Sequence, residues 1–194
     1  MLDSFWGTTS GEAELVFRVD EDDVPTQEAL VDYRPIVGPR KGYGGLPAMF
    51  NELYEESTGD VLMCGNDDMV FRTPGWDATI LEQANQHPDG VFDFGVKTHN
   101  EGNFPFATVS RRMADRLGFF FPPRLFWGDI FWRDVAAYFG RAILLSSVRI
   151  DHDWVGFKPD QVFLDGEVFR SADHMQLHGA EVNGAVKKLR GMMA

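Results

Sequence analysis

Cysteine is nearly absent from this 194-residue chain, as are long apolar runs and any excess of basic residues. The single thiol, Cys64, cannot form an intrachain disulfide. Its place in the apolar run Val61-Leu62-Met63-Cys64 reads as a buried, inert side chain. Lys and Arg together number 18 against 30 Asp and Glu, a net charge of −12. That balance excludes a broad electrostatic grip on nucleic acid, which needs clustered cations, and leaves room only for a local basic groove. No stretch approaches the ~18 uninterrupted apolar residues of a membrane span. The opening "MLDSFWGTTSGEAE" lacks the basic region and long apolar core of a secretory leader, so a soluble cytoplasmic protein is expected. What remains is 44% apolar and 13% aromatic, enough to build one sizeable core.

Strand and helix signals alternate along the chain. "LVFRV", residues 15 to 19, is a β-type run that exits into the acidic "DEDDVP", and Ile36-Val37 forms a second short strand. Leu46, Met49, Phe50, Leu53 and Tyr54 share one helical face, with Pro47 in the first turn and Gly59 past the end. "DVLMC" follows as a strand. A helix is expected near Ala78 to Gln86, extended segments in "GVFDFGVKT" and "FPFATVSRR", and a helix over Arg111 to Leu117 ended by Gly118. Further helical spacing covers residues 129 to 139 and stops at Gly140, before the strong strand "AILLSSVRI". The tail from Ser171 reads as a helix interrupted at Gly179 and Gly184. Such alternation predicts an α/β protein with helices on a sheet, whose ligands gather at the strand ends. Residues 1–170 are expected to form one domain, and 171–194 a helical tail or lid.

Carboxylates stand where those strands end. Asn66-Asp67-Asp68 follows "DVLMC", while Asp20, Asp22 and Asp23 follow the first strand, and Arg40-Lys41 lie in a Gly-containing loop beyond the second. Hard oxygen ligands suit Mg²⁺ or Mn²⁺, which binds one or two carboxylates plus substrate phosphates. Carboxylates can also hold a base or ribose while nearby cations meet phosphate. Each cluster alone is accounted for equally well by a solvated turn; their shared placement favours a site. "HMQLH" places His174 and His178 four apart without the Glu of a zinc protease, which favours a surface helix or lid, and "KGYGG" is not a Walker loop.

The order "VDEDDVP", then "GPRKGYGGLPAMFNELYEESTGDVLMCGNDDMVFRTPGWD", resembles the nucleotide-sugar half of a GT-A fold glycosyltransferase, most similar to the inverting family two group. The resemblance implies a mixed Rossmann-like sheet flanked by helices. Asp20 or Asp22 would contact the base, and Asn51 corresponds to a helical Asn of that family. Asn66-Asp67-Asp68 stands at the DXD motif, with Asp68 on the metal and Asp67 on metal or ribose. Asn in the first DXD position is a departure that removes one charge. In "GDIFWRDVAAYFGR", Asp129 matches the general base, with Asp134 the fallback, and His152 in "VRIDHDW" matches a late metal or diphosphate contact. Trp127 and Trp132 are candidates to stack on sugar faces, although aromatic residues at such spacing equally suit a core. The match covers residues 2 to about 160 and opens within the helix that follows the family's first strand. A chain without that strand would leave unpaired backbone groups that a partner chain, such as a second copy, can satisfy.

The implied activity is transfer of a sugar from a nucleoside diphosphate to an acceptor hydroxyl with Mn²⁺ or Mg²⁺. A glycan or small molecule is the favoured acceptor, and a hydroxymethylated DNA base is the alternative that the acidic charge weighs against. Two rivals use the same residues: a non-catalytic nucleotide- or sugar-binding module, and a metal-dependent nucleotidyltransferase.

Overall fold

A computed structural model describes residues 1–99, 104–152 and 172–193. Its elements run α1 (Leu2–Thr8), β1 (Arg18–Asp20), α2 (Val24–Ala29), β2 (Ile36–Gly38), α3 (Leu46–Glu56), β3 (Val61–Met63), β4 (Met69–Phe71) and α4 (Trp76–Asn85). They continue with β5 (Asp93–Lys97), β6 (Thr108–Ser110), α5 (Arg111–Leu117), α6 (Gly128–Tyr138), β7 (Ala142–His152) and α7 (Ala172–Leu189). A five-stranded sheet in the order β3-β6-β5-β7-β4 is mixed: β5 pairs with β7 in parallel, and the other neighbours are antiparallel. β1 and β2 form a separate parallel pair, and among the described residues no strand joins it to the larger sheet.

The sheet is held by aromatic packing. On one side Phe5 of α1 meets Phe71 edge-on at 5.3 Å and Trp76 at 5.6 Å. Phe92 stacks on Phe94 at 4.3 Å, and β5 is buried through Val96. α6 buries Phe131, Trp132, Val135 and Ala136 together, the face its spacing predicts. Gly128, at its start, lies where a Cβ would come within 2.3 Å of the Phe121 ring. α5 is capped by Ser110, whose hydroxyl accepts the Met113 N–H, and closes at Gly118 with φ +86°, a conformation that suits glycine.

Some expectations change. β1 begins at Arg18 rather than Leu15, because its partner β2 has only three residues and the register starts at Arg18 against Ile36. The tail is one continuous helix despite Gly179 and Gly184, since α7 gains tertiary packing: Ala185, Val186 and Leu189 are buried. One face of α7 packs on the body of the fold: His174 and His178 are both buried, and His178 Nε2 lies 2.9 Å from Asp134 Oδ2 on α6. Asp134 pairs with His178 of α7 and with Arg133 while its side chain stays partly exposed, as expected of a residue within the helix. Trp132 is fully buried, its indole N–H donating to the Phe120 carbonyl at 2.6 Å, so it cannot stack on a sugar. Residues 100–103, the part of the family match beyond His152 and the start of the tail at Ser171 lie outside the described residues.

Candidate functional site

β3 ends at Met63, and the chain turns through Asn66-Asp67-Asp68 into β4. β4 pairs antiparallel with β7 in a register that sets Met69 opposite His152. That pairing carries the end of β7 back to the acidic turn. His152 Nε2 lies 2.9 Å from Asp68 Oδ2 and 3.5 Å from the Asn66 amide nitrogen, while Phe106 meets the imidazole edge-on at 5.7 Å. The other Asp68 oxygen, Oδ1, is buried and has no hydrogen-bond partner among the described residues. Burial lifts the Asp68 carboxyl above its usual range; His152 opposes the shift and the Asp67 charge adds to it. A carboxylate so placed gains from a cation. Asp67 is exposed beside it.

The residues expected at the nucleotide end gather around β1 and β2. Arg18 pairs with Asp20 and with Glu52 of α3; Arg40 makes a two-pronged contact with Asp22, 2.9 Å on each arm; Lys41 pairs with Glu52. The Arg40 contact holds the exposed Asp22 carboxyl below its usual range. Arg40 and Lys41 are thus engaged by carboxylates of the chain itself. Asn51 is a structural clamp: its side-chain oxygen accepts the N–H groups of Phe120 and Phe121 at 2.8 and 2.9 Å, and its amide donates to the Phe121 carbonyl at 2.8 Å.

Asp129 occupies the first turn of α6 and is half-buried. The helix starts at Gly128 with Trp127 at the cap position, so Asp129 lies inside the helix instead of capping it. Its charge helps raise two buried neighbours, the Cys64 thiol and the Asp93 carboxyl, in both of which burial is the largest cause. Cys64, 6% exposed, is accordingly inert. Trp127 remains partly accessible, with its ring edge-on to His174 at 5.7 Å.

The chain shares its fold with a mannosyltransferase. A mannosyltransferase from Pyrobaculum calidifontis, PcManGT, solved in complex with GDP-Man and Mn²⁺, superposes with a TM-score of 0.61 over 98% of this chain and 68% of its own, at 15% identity. The likeness establishes a glycosyltransferase-type mixed α/β fold in a single domain. No protein-family model matches the sequence, and no curated protein matches it.

Among the described residues no helix is long and apolar enough to cross a membrane, and no group of three His, Cys, Asp or Glu side chains forms a closed metal cage. The Asp68–His152 pair supplies one oxygen and one nitrogen donor. That open set suits an ion that completes its shell from substrate phosphate and water. Two features went unread in the sequence. Asp93, a charged residue inside "VFDFGV", is wholly buried, and Asp151 is buried beneath two arginines. An acid within an apolar run was the available signal for Asp93; the charged stretch around Asp151 offered none.

Proposed function

We propose that this protein is a metal-dependent, inverting glycosyltransferase that uses a nucleoside diphosphate sugar. The observation that carries the reading is the orphaned, buried Oδ1 of Asp68 beside His152, in a fold shared with an enzyme solved with GDP-Man and Mn²⁺. Asp68 and His152, with Asp67 and Asn66 adjacent, would hold Mn²⁺ or Mg²⁺. Bound there, the ion supplies positive charge against the departing diphosphate. Asp20 and Asp22 accept hydrogen bonds from the base or ribose, and Arg40 and Lys41 exchange their present carboxylate partners for phosphate oxygens. Asp129 accepts the acceptor hydroxyl proton as that oxygen bonds to the anomeric carbon and the nucleoside diphosphate leaves from the opposite face. The acceptor class favoured is a glycan or small hydroxylated molecule.

Calorimetric titration with UDP and GDP, each with and without Mn²⁺, tests the donor site. Metal-dependent binding of at least one nucleotide, lost in Asp68→Asn, is the expected result; no metal-dependent binding to either sinks the claim. Asp129→Asn should retain donor binding and lose transfer by roughly a hundredfold or more, the usual worth of a positioned base. A non-catalytic nucleotide-sugar binder is the second reading, favoured by the neutral Asn66 and by the carboxylates already holding Arg40 and Lys41. Transfer or donor hydrolysis by the purified chain rejects it.

A further inference from the structure

Cations are scarce in this chain, yet several converge on one face of the sheet. The register sets Lys97 of β5 beside Arg149 of β7, and the Arg72 N–H, just past β4, donates to the Arg149 carbonyl. His99 follows two residues after Lys97. On β7 the side chains alternate, so Ile150 is buried in the core while Arg149 and Asp151 face the other way. At the centre of this face Asp151, 3% exposed, is a fully engaged acceptor. Arg149 Nε reaches Oδ1 at 2.9 Å, Arg72 Nε reaches Oδ2 at 2.9 Å, Arg149 Nη2 reaches Oδ2 at 3.2 Å, and His99 Nδ1 lies 3.3 Å from Oδ1.

One guanidinium suffices to neutralise a buried carboxylate; here there are two and an imidazole. The arrangement fixes both arginines by their Nε edges. Their side chains remain 52% and 48% exposed, so the remaining guanidinium N–H groups are turned outward. Lys97, exposed, adds a third permanent positive charge and has no carboxylate partner among the described residues. Among the described residues, three permanent cations and one carboxylate share this patch, a local excess of positive charge in a protein of net charge −12. Solvation of a surface ion pair does not require that excess. A pre-set fork of guanidinium donors with a flexible ammonium beside it matches the tetrahedral oxygens of phosphate.

We propose that Lys97, Arg149 and Arg72, with His99 at their margin, form a binding site for a phosphate-class anion organised by Asp151. Arg72 lies past the opposite end of β4 from Asp68, and along β7 Arg149 and Asp151 alternate with His152, so the site is separate from the Asp68–His152 pair and does not depend on the sugar-transfer reading. The phosphate belongs either to a soluble ligand or to a lipid headgroup, since both present the same oxygens.

The test uses the full chain with EDTA present, which removes any metal-bridged phosphate at Asp68 and His152. Inorganic phosphate is titrated in while the arginine and lysine side-chain resonances are followed by NMR. Saturable shifts of the Arg72, Arg149 and Lys97 signals are expected, with a Kd on the order of 1 mM. Lys97→Glu, which leaves every Asp151 contact intact, should weaken binding about tenfold, and Lys97→Gln about threefold, with unchanged circular dichroism. Shifts that rise linearly without saturation, or an affinity untouched by Lys97→Glu, overturn the proposal. Cosedimentation with phosphatidylcholine vesicles, with and without phosphatidic acid, identifies the source. Capture only by the acidic vesicles, reversed by Lys97→Glu, supports the site as a headgroup site. Phosphate binding without vesicle capture supports it as a site for a soluble phosphate.

Discussion

Replacing Asp93 by Asn should stabilise the protein increasingly as pH rises. Asp93 opens β5 with its side chain 0% exposed; Oδ1 accepts the Thr108 N–H at 2.9 Å and, among the described residues, Oδ2 has no hydrogen-bond partner. Burial pushes its pKa from 3.8 up to about 8, against the Thr108 hydrogen bond and with help from the Asp129 charge. The native state therefore keeps a proton that the unfolded chain has lost between about pH 3.8 and 8. Stability must fall with rising pH across that window, by roughly 1.4 kcal/mol per unit from this group alone, and level off above it. Asn copies the neutral acid, accepts the same N–H and titrates nowhere. The stability difference, variant minus wild type, should then grow by about 3 kcal/mol between pH 5 and 7, as other titrating groups cancel. Urea unfolding at several pH values, followed by the fluorescence of the five tryptophans, measures it. A difference that does not change with pH would refute the assignment of Asp93 as a buried neutral acid.

Asp77 behaves in the opposite sense. Burial acts to raise its pKa, but hydrogen bonds from the Thr9 hydroxyl and the Ser10 and Glu12 N–H groups win and bring it to about 2. Its contribution, roughly 2 kcal/mol, is present above pH 3.8 and lost as pH falls toward 2; Asp77→Asn should remove that acid limb from a pH series of melting temperatures. Asn51→Ala leaves the Phe120 and Phe121 N–H groups without their acceptor and should cost about 2–4 kcal/mol in denaturant unfolding; an effect under about 0.5 kcal/mol would show that Asn51 does not clamp that loop. Gly128→Ala drives a methyl into the Phe121 ring and should cost about 1–3 kcal/mol, with relief in Gly128→Ala/Phe121→Leu.

Local signals carried most of the elements. Pro47 and the Leu46 to Tyr54 spacing determine α3, and Gly118 ends α5, because capping and periodicity act within a turn or two of the chain. The Asp68–His152 contact joins distant segments and depends on the antiparallel β4–β7 register; only the resemblance suggested it. Asn51 was matched to the family's helical Asn, but its tertiary partners, Phe120 and Phe121, cannot be seen from its own helix. α7 went wrong for the same reason: glycine lowers helix propensity by roughly 1 kcal/mol, and packing against α5 and α6 outweighs it.

The Asn51 clamp changes how the two ends of the proposed site communicate. β1 ends at Asp20 with Asp22 just beyond it, and among the described residues no strand hydrogen-bonds the small β1–β2 sheet to the five-stranded one. Their connection to the rest therefore runs through side chains. Arg18 and Lys41 both reach Glu52, and the preceding residue on α3, Asn51, holds the Phe120-Phe121 backbone. Phe121 stacks on Phe50 of the same helix at 4.3 Å and also touches the position of Gly128, where α6 begins and Asp129 follows. A single helix thus links the acidic end of β1 to the turn that aims the proposed base. Exchange of the Lys41 partner from Glu52 to a phosphate oxygen would act on α3 directly, and the nearest rigid body it could move is the start of α6. On this geometry, loss of the Asn51 clamp should depress transfer more than nucleotide affinity, because the proposed nucleotide contacts at β1 and β2 are joined to the proposed base through α3.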